Sequence, residues 1–446
     1  MKFEGKNCLI VLAVLPALLF LSCAGGGAGN GNPGNTRSFY MGFTPWPYRL
    51  DGDAAEVAYT YDIIQARGDI VAHHFQQGIP WSEAWDMRAD PQFSALPQVV
   101  KDEVNIRTAF TDTGTLIYLA VDSLGSSRED LIGYWGPDYN SHGSTEQQPR
   151  PNNDGGPGIS GAVNSIDWGS KGFADQEIAE AFVAWSRALI DHFESLGFTV
   201  AYFNYASEVS DLYLHDPGKY ADFLEFAGRV YTALKTEYPD LPLMVSTALK
   251  HPASTDAAQI ETGLASGTVP VTDSIDVMGI SVYPYAFFNP MVSDDSSEGS
   301  NGLADLPADW ASQITGLSGG KPVAFTETGW IAEDLSISEY GLDRYSSEVN
   351  QRSFTELLFA EAQELGAQFI IWFSAVDYSH FWVNSLGADS LSALWRDTGL
   401  YDYDGTTDIG MADLPGLNPA GAGLIRRSAL DVWETWLSYS RRQERE

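Results

Sequence analysis

"FTVAYFNYASEVSDLY" (198–213) opens as an apolar run rich in β-branched and aromatic residues and closes on an acid, Glu208, set among small and apolar neighbours. The body of a buried strand has no use for a charge, whereas its C-terminal end is where a parallel sheet meets its ligand. Glu208 is therefore either a solvated loop acid or half of a site. Which it is depends on how many such strands the chain contains and how they close.

Working outward, seven more short runs of the same kind can be read: "FYMGFTPW" (39–46), "DIVAHHF" (69–75), "TLIYLAV" (115–121), "LPLMVST" (241–247), "SIDVMGISVY" (274–283), "PVAFTE" (322–327) and "QFIIWFS" (368–374). Longer helical patterns lie between them. In "ADQEIAEAFVAWSRALIDHFESLG" Ile178, Phe182, Trp185 and Leu189 fall on one face and Gly197 ends the helix. "HDPGKYADFLEFAGRVYTALKTEYP" starts on Asp216 as cap with Pro217 in the first turn, and "SSEVNQRSFTELLFAEAQELG" and "SALDVWETWLSYS" repeat the pattern near the end. Eight strands alternating with helices over 39–446 predict a single-domain α/β fold, a (β/α)8 TIM barrel. A doubly wound open sheet is the alternative, but no glycine-rich phosphate loop follows the first strand, where the chain reads "GFTPWP".

The segment 122–173 is rich in Gly, Pro, Asn and Ser and is longer than an idle connection. It follows the third strand, so it is expected to wall or cover the cleft. The net charge of −35 excludes a nucleic-acid backbone or an anionic membrane surface as partner. Seven His without clustered spacing give no metal site, and no GxSxG elbow is present. No cofactor is implied. His73 and His74 are adjacent on a strand and point to opposite faces, so at most one, taken to be His74, faces the mouth. His251, after the fifth strand, is a lesser candidate of the same type.

Four strand ends carry reactive or aromatic side chains: "NYASE" with Glu208, "VYPY" with Tyr283 and Tyr285, "FTETGW" with Glu327 and Trp330, and "IIWFSAVD" with Trp372 and Asp377. Glu208 ends the fourth strand and Glu327 the seventh, so a barrel brings both carboxylates to one mouth. Two carboxylates across an aromatic-lined cleft are what glycoside hydrolysis needs. One protonates the leaving oxygen, and the other attacks the anomeric carbon or activates water.

On these residues the chain resembles the clan A retaining glycoside hydrolases, with endo-β-1,4-galactanases the nearest flavour. "VAFTETGW" is similar to their seventh strand, "IDVMGISVYPY" to the sixth, "FIIWFSAVDY" to the eighth, and "LWRDTGLYDYDG" followed by "ALDVWETWL" to their common ending. The resemblance implies Glu327 as nucleophile, Tyr283 as its hydrogen-bonding partner, Glu208 as acid/base, and Trp372 as the platform under the sugar. Trp46, Trp330, His74 and Ser207 join as substrate-binding candidates. Ser207 stands where that pattern carries Asn, and the second strand lacks the arginines typical of galactanases. Two functions follow: an endo-acting, monomeric hydrolase of β-linked glycans, or a barrel without catalysis that binds glycans at the cell surface.

At the N-terminus Lys2 and Lys6 precede the apolar run "LIVLAVLPALLFLS", and "FLSCAGGG" resembles a bacterial lipoprotein signal. The resemblance implies removal of residues 1–22, lipidation of Cys23, export, and a membrane anchor through that lipid, with 23–38 as a Gly/Asn-rich tether. Ordinary secretory cleavage is the alternative.

Overall fold

The computed structural model describes residues 35–48, 54–133, 166–249, 271–287, 311–403 and 424–441. Eight parallel strands close into a barrel: β1 (Tyr40–Phe43), β2 (Ile70–Phe75), β3 (Leu116–Val121), β4 (Thr199–Asn204), β5 (Leu243–Ala248), β6 (Val277–Val282), β7 (Val323–Thr328) and β8 (Phe369–Trp372). Each lies within one of the eight apolar runs except at its last residue in β5 and β7. Closure is made by β8 pairing in parallel with β1, from Phe369↔Tyr40 to Trp372↔Phe43. The predicted (β/α)8 barrel is the observed fold.

The lumen is packed by Ile70, Ala72, Tyr118, Ala120, Tyr202, Met244, Val277, Ala324, Phe369 and Ile371. These are alternate residues of their strands, as the two-residue period requires. The other face of each strand joins a larger core under the helices. Helices α1 (Ala54–Arg67), α2 (Gln98–Ala109), α3 (Gln176–Ser195), α4 (Val209–His215), α5 (Pro217–Glu237), α6 (Glu348–Leu365) and α7 (Ser428–Leu437) supply most of that layer. α3 buries Ile178, Phe182, Trp185 and Leu189, the face its spacing predicts. Asp216 caps α5 by accepting from the amides of Gly218 and Lys219, each at 3.0 Å. Ser347 caps α6, which stops at Gly366 with φ 63°.

Where β1 meets β2 there is no room for a side chain. A Cβ on Gly42 would lie 1.9 Å from the Ile70 carbonyl oxygen.

The signal segment 1–22, Cys23 and most of the expected tether lie outside the described residues, as do 134–165 of the long loop and His251. The end of the tether is structured. Thr36–Arg37 pairs in parallel with Ser440–Arg441, and the buried Arg37 makes two bonds to Asp69, at 2.7 and 3.0 Å. Residues just before Phe39 thus already belong to the fold, held by their pairing with 440–441.

Candidate active site

Glu208 is not in β4 itself. The strand stops at Asn204, and Glu208 takes φ 57° as the residue before α4, a conformation that is costly without a glycine. Asn204 fixes that turn from below, its Oδ1 accepting from the Ala206 amide at 3.1 Å while its Nδ2 donates to the Tyr118 hydroxyl at 2.8 Å. Ser246 on β5 receives the Glu208 amide at 3.1 Å, and the Ser281 hydroxyl donates to Glu208 Oε1 at 2.8 Å.

Glu327 reaches the mouth by a different device. Ala324 points into the lumen, so simple alternation would send residue 327 outward. The pairing between β6 and β7 slips there, with Ile280 opposite Phe325 but Ser281 opposite Glu327. This bulge inserts one residue and turns Glu327 inward beside Ser281. Its carboxylate lies 3.4 Å from the Tyr283 hydroxyl and 3.7 Å from His74 Nδ1.

A third carboxylate, Asp122, follows the last residue of β3 and is fully buried. It accepts from the Ser207 amide at 3.0 Å, bonds His74 Nε2 at 2.9 Å and accepts from Arg128 Nη1 at 2.6 Å. Arg128 Nε in turn donates to Glu208 Oε2 at 3.2 Å. Asp122 is thereby linked to Glu208 through Arg128 and to Glu327 through His74.

The charges follow from these contacts. Burial would raise the Asp122 carboxyl, but Arg128 and His74 beside it hold it well below the ordinary carboxylate range. Glu327 behaves oppositely. Burial and then the nearby Glu208 charge push it up to about 7, against the opposing pull of His74 and Arg128. Its side chain remains 30% exposed, open to the cleft. Burial also raises Tyr283 well above its ordinary value, so it stays a neutral donor to Glu327.

An aromatic wall continues from Tyr283. Its ring lies 5.8 Å from Trp395, which lies 6.0 Å from Phe373, which lies 5.7 Å from Trp46. Trp46, Phe373 and Trp395 are all partly exposed.

Of the residues singled out in the sequence, Glu208, Glu327, Tyr283, His74 and Ser207 come together, and Trp46 stands at the end of the wall. Trp372, Trp330, Tyr285 and Asp377 are buried instead, Tyr285 with its hydroxyl donating to the Leu394 carbonyl at 2.8 Å and Asp377 against Arg427. Trp372 is fully buried under the helices, 6.2 Å from Phe354, with its indole donating to the Thr398 carbonyl at 2.7 Å. Since Phe369 and Ile371 fill the lumen, alternation points Trp372 outward and Phe373 to the mouth. Trp330 is likewise fully buried, 4.9 Å from Phe354, its indole bonded to Ser346 Oγ at 3.0 Å. His73 faces outward, bonded to Thr111, and burial lowers it to about 3.

Sequence reading missed Asp122, Arg128, Ser281, Phe373 and Trp395. Asp122 was detectable by the rule that found Glu208, as an acid that ends a barrel strand. Arg128 carries no such signal. Three further carboxylates, Glu333, Asp377 and Asp402, bring oxygens within 4.8 Å of one another. Arg427 already serves them, 2.5 Å from Asp377 and 2.9 Å from Glu333, so the cluster reads as an ion-pair network.

No family model matches the sequence, and no match is found among curated proteins. Solved structures do resemble it. An exo-β-1,4-mannosidase from Opitutaceae bacterium strain TAV5 superposes over 90% of this chain with a TM-score of 0.53 at 14% identity. This chain spans 59% of that protein's length. The GH53 catalytic domain of Ignisphaera aggregans (TM-score 0.49, 13% identity, 92% of this chain and 99% of that one) is similar over nearly its whole length. So is an endo-laminarinase from Formosa (TM-score 0.47, 14% identity, 92% and 98%). What is shared is the barrel.

Proposed function

We propose that the chain is a retaining glycoside hydrolase acting, in endo fashion, on a β-linked polysaccharide or oligosaccharide. The observation that carries this reading is the meeting of Glu208, just past β4, and Glu327, on β7, in one mouth beside an aromatic wall. Glu327 attacks the anomeric carbon and forms a covalent glycosyl intermediate. Glu208 protonates the departing oxygen, then takes the proton from the water that releases the sugar. Tyr283 donates to Glu327 and steadies its charge. Faces of Trp46, Phe373 and Trp395 suit the apolar faces of pyranose rings. The mannosidase whose fold is shared acts on a β-1,4 linkage by its name, which agrees with a β-linked substrate.

The test is a screen of galactan, mannan, glucan and xylan oligosaccharides with wild type beside Glu208→Gln and Glu327→Gln. Each variant is expected to lose at least about 10³-fold in kcat while still binding the cleaved glycan. A wild type that binds a β-glycan and cleaves none would instead establish the second reading, a surface glycan-binding barrel. Ser207 is the observation that keeps that reading open, since its hydroxyl sits 3.4 Å from His74 rather than presenting an amide to the cleft.

We further propose export as a lipoprotein anchored at Cys23, on the strength of the N-terminal sequence. Labelled palmitate should enter the wild type and not Cys23→Ala.

A further inference from the structure

Among the described residues, three non-glycine residues adopt a positive φ: Arg128 at 60°, Glu208 at 57° and Ala388 at 55°. Two of these are bonded to each other, through Arg128 Nε and Glu208 Oε2. Left-handed backbone at an arginine or a glutamate persists only where the surroundings impose it, and such residues gather at functional sites. That both partners of one ion pair are held this way in a catalytic mouth calls for an explanation beyond loop geometry.

The loop that delivers Arg128 is built to hold it still. Leu124 and Leu131 bridge in antiparallel fashion, the Arg128 amide donates to the Gly125 carbonyl at 2.9 Å, and Ile132 N donates to Ser123 O at 2.9 Å. The next two residues anchor the loop to the helices after β4. Asp130 pairs with Lys219 at 3.0 Å and Glu129 with His215 at 3.5 Å. The guanidinium is itself clamped by the buried Asp122 and is 12% exposed. It has one fixed neighbour on each side, Asp122 and Glu208.

We propose that Arg128 is a positioning residue of this site: held by Asp122, it fixes Glu208 in the mouth and supplies the positive charge against which both glutamates are set. The inference rests on the glycoside hydrolase reading and names a residue that reading does not require. The groups facing Glu327 are Glu208 from beyond β4, His74 from β2, Tyr118 from β3, Arg128 and Asp122 from beyond β3, and Tyr283 from the end of β6. Of these, His74 and Arg128 favour its charged form, and Arg128 alone also touches Glu208.

The experiment compares Arg128→Met and Arg128→Lys with wild type on an aryl β-glycoside or oligosaccharide that wild type cleaves, measuring kcat/KM against pH. Removing the charge should make Glu327 harder to ionise. The acidic limb of the profile should therefore move up by at least about half a pH unit in Arg128→Met, with at least a tenfold loss of kcat. Arg128→Lys should keep the limb near its wild-type position while losing kcat, because an ammonium cannot span Asp122 and Glu208 as the guanidinium fork does. A purely structural arginine would lower thermal stability without moving the limb, and that result overturns the proposal. If Arg128→Met does not fold, Arg128→Lys carries the test, and wild-type kcat in that variant overturns it. A wild type inactive on every glycan defeats the hydrolase reading instead, and is told apart by that alone.

Discussion

At the scale of single residues, Glu327 is where the site departs most from an ordinary surface. A carboxyl raised to about 7 binds its proton in the native state at pH values where the unfolded chain has already lost it. Two outcomes follow, with opposite readouts. As a nucleophile Glu327 must be ionised, so kcat/KM is expected to fall as pH drops through about 7; a profile that instead falls as pH rises through that value would assign Glu327 the acid's role. For stability the native state loses ground as pH rises from about 4.5 to 7. Glu327→Gln should then be more stable than wild type at pH 8 by about 1–2 kcal/mol, with the difference vanishing near pH 4. Calorimetry at the two pH values measures this. Glu208 and Glu327 were both legible as acids at strand ends. Their environments were not, because Arg128 and Asp122 are 80 or more residues distant from at least one glutamate in sequence.

At the scale of elements, the decisive features are a bulge and a parity. The eight strands were legible because each is a short apolar run between turn signals, and their alternation with helices fixed the class. Which side chains face the mouth was only partly legible. The one-residue slip opposite Ser281 reverses the facing of Glu327, while the unbroken alternation of β8 sends Trp372 outward and Phe373 inward. Trp372→Phe should therefore cost stability, about 1–3 kcal/mol by chemical denaturation, with KM within twofold. Phe373→Ala and Trp395→Ala should do the reverse in kinetics, raising KM for an oligosaccharide at least fivefold. Equal KM in all three would remove the aromatic wall from the binding site.

At the scale of the whole molecule, the barrel is closed twice, by β8 against β1 and by a network that ties the C-terminal helix to the end of β8. Arg427, just before α7, reaches Asp377 and Glu333, and donates to the Asp397 carbonyl at 3.0 Å. Burial raises Asp377 well above its ordinary value even with Arg427 beside it. Removing the cation by Arg427→Met leaves a buried carboxylate without its partner, a loss of about 3–5 kcal/mol at pH 8. The loss should shrink toward pH 5, because the orphaned carboxyl can take up a proton instead. Urea midpoints at both pH values check it, and an equal loss at each would show that the guanidinium acts by packing alone. Gly42 bears on the same closure. Any side chain there meets the Ile70 carbonyl, so Gly42→Ala is expected to prevent β1 from seating.

The sequence by itself determined the barrel, its strand count, the two glutamates near the ends of β4 and β7, and the opposite facing of His73 and His74. These follow from period, punctuation and the cost of burying charge, all local properties that a linear reading can see. Only the tertiary structure decided the rest. It placed Arg128 between Asp122 and Glu208, exchanged Phe373 and Trp395 for Trp372 and Trp330 at the mouth, and raised Glu327 while lowering Asp122. Those outcomes depend on registers that slip by one residue and on charges brought within 4 Å across distant strands, and neither leaves a mark in the order of residues.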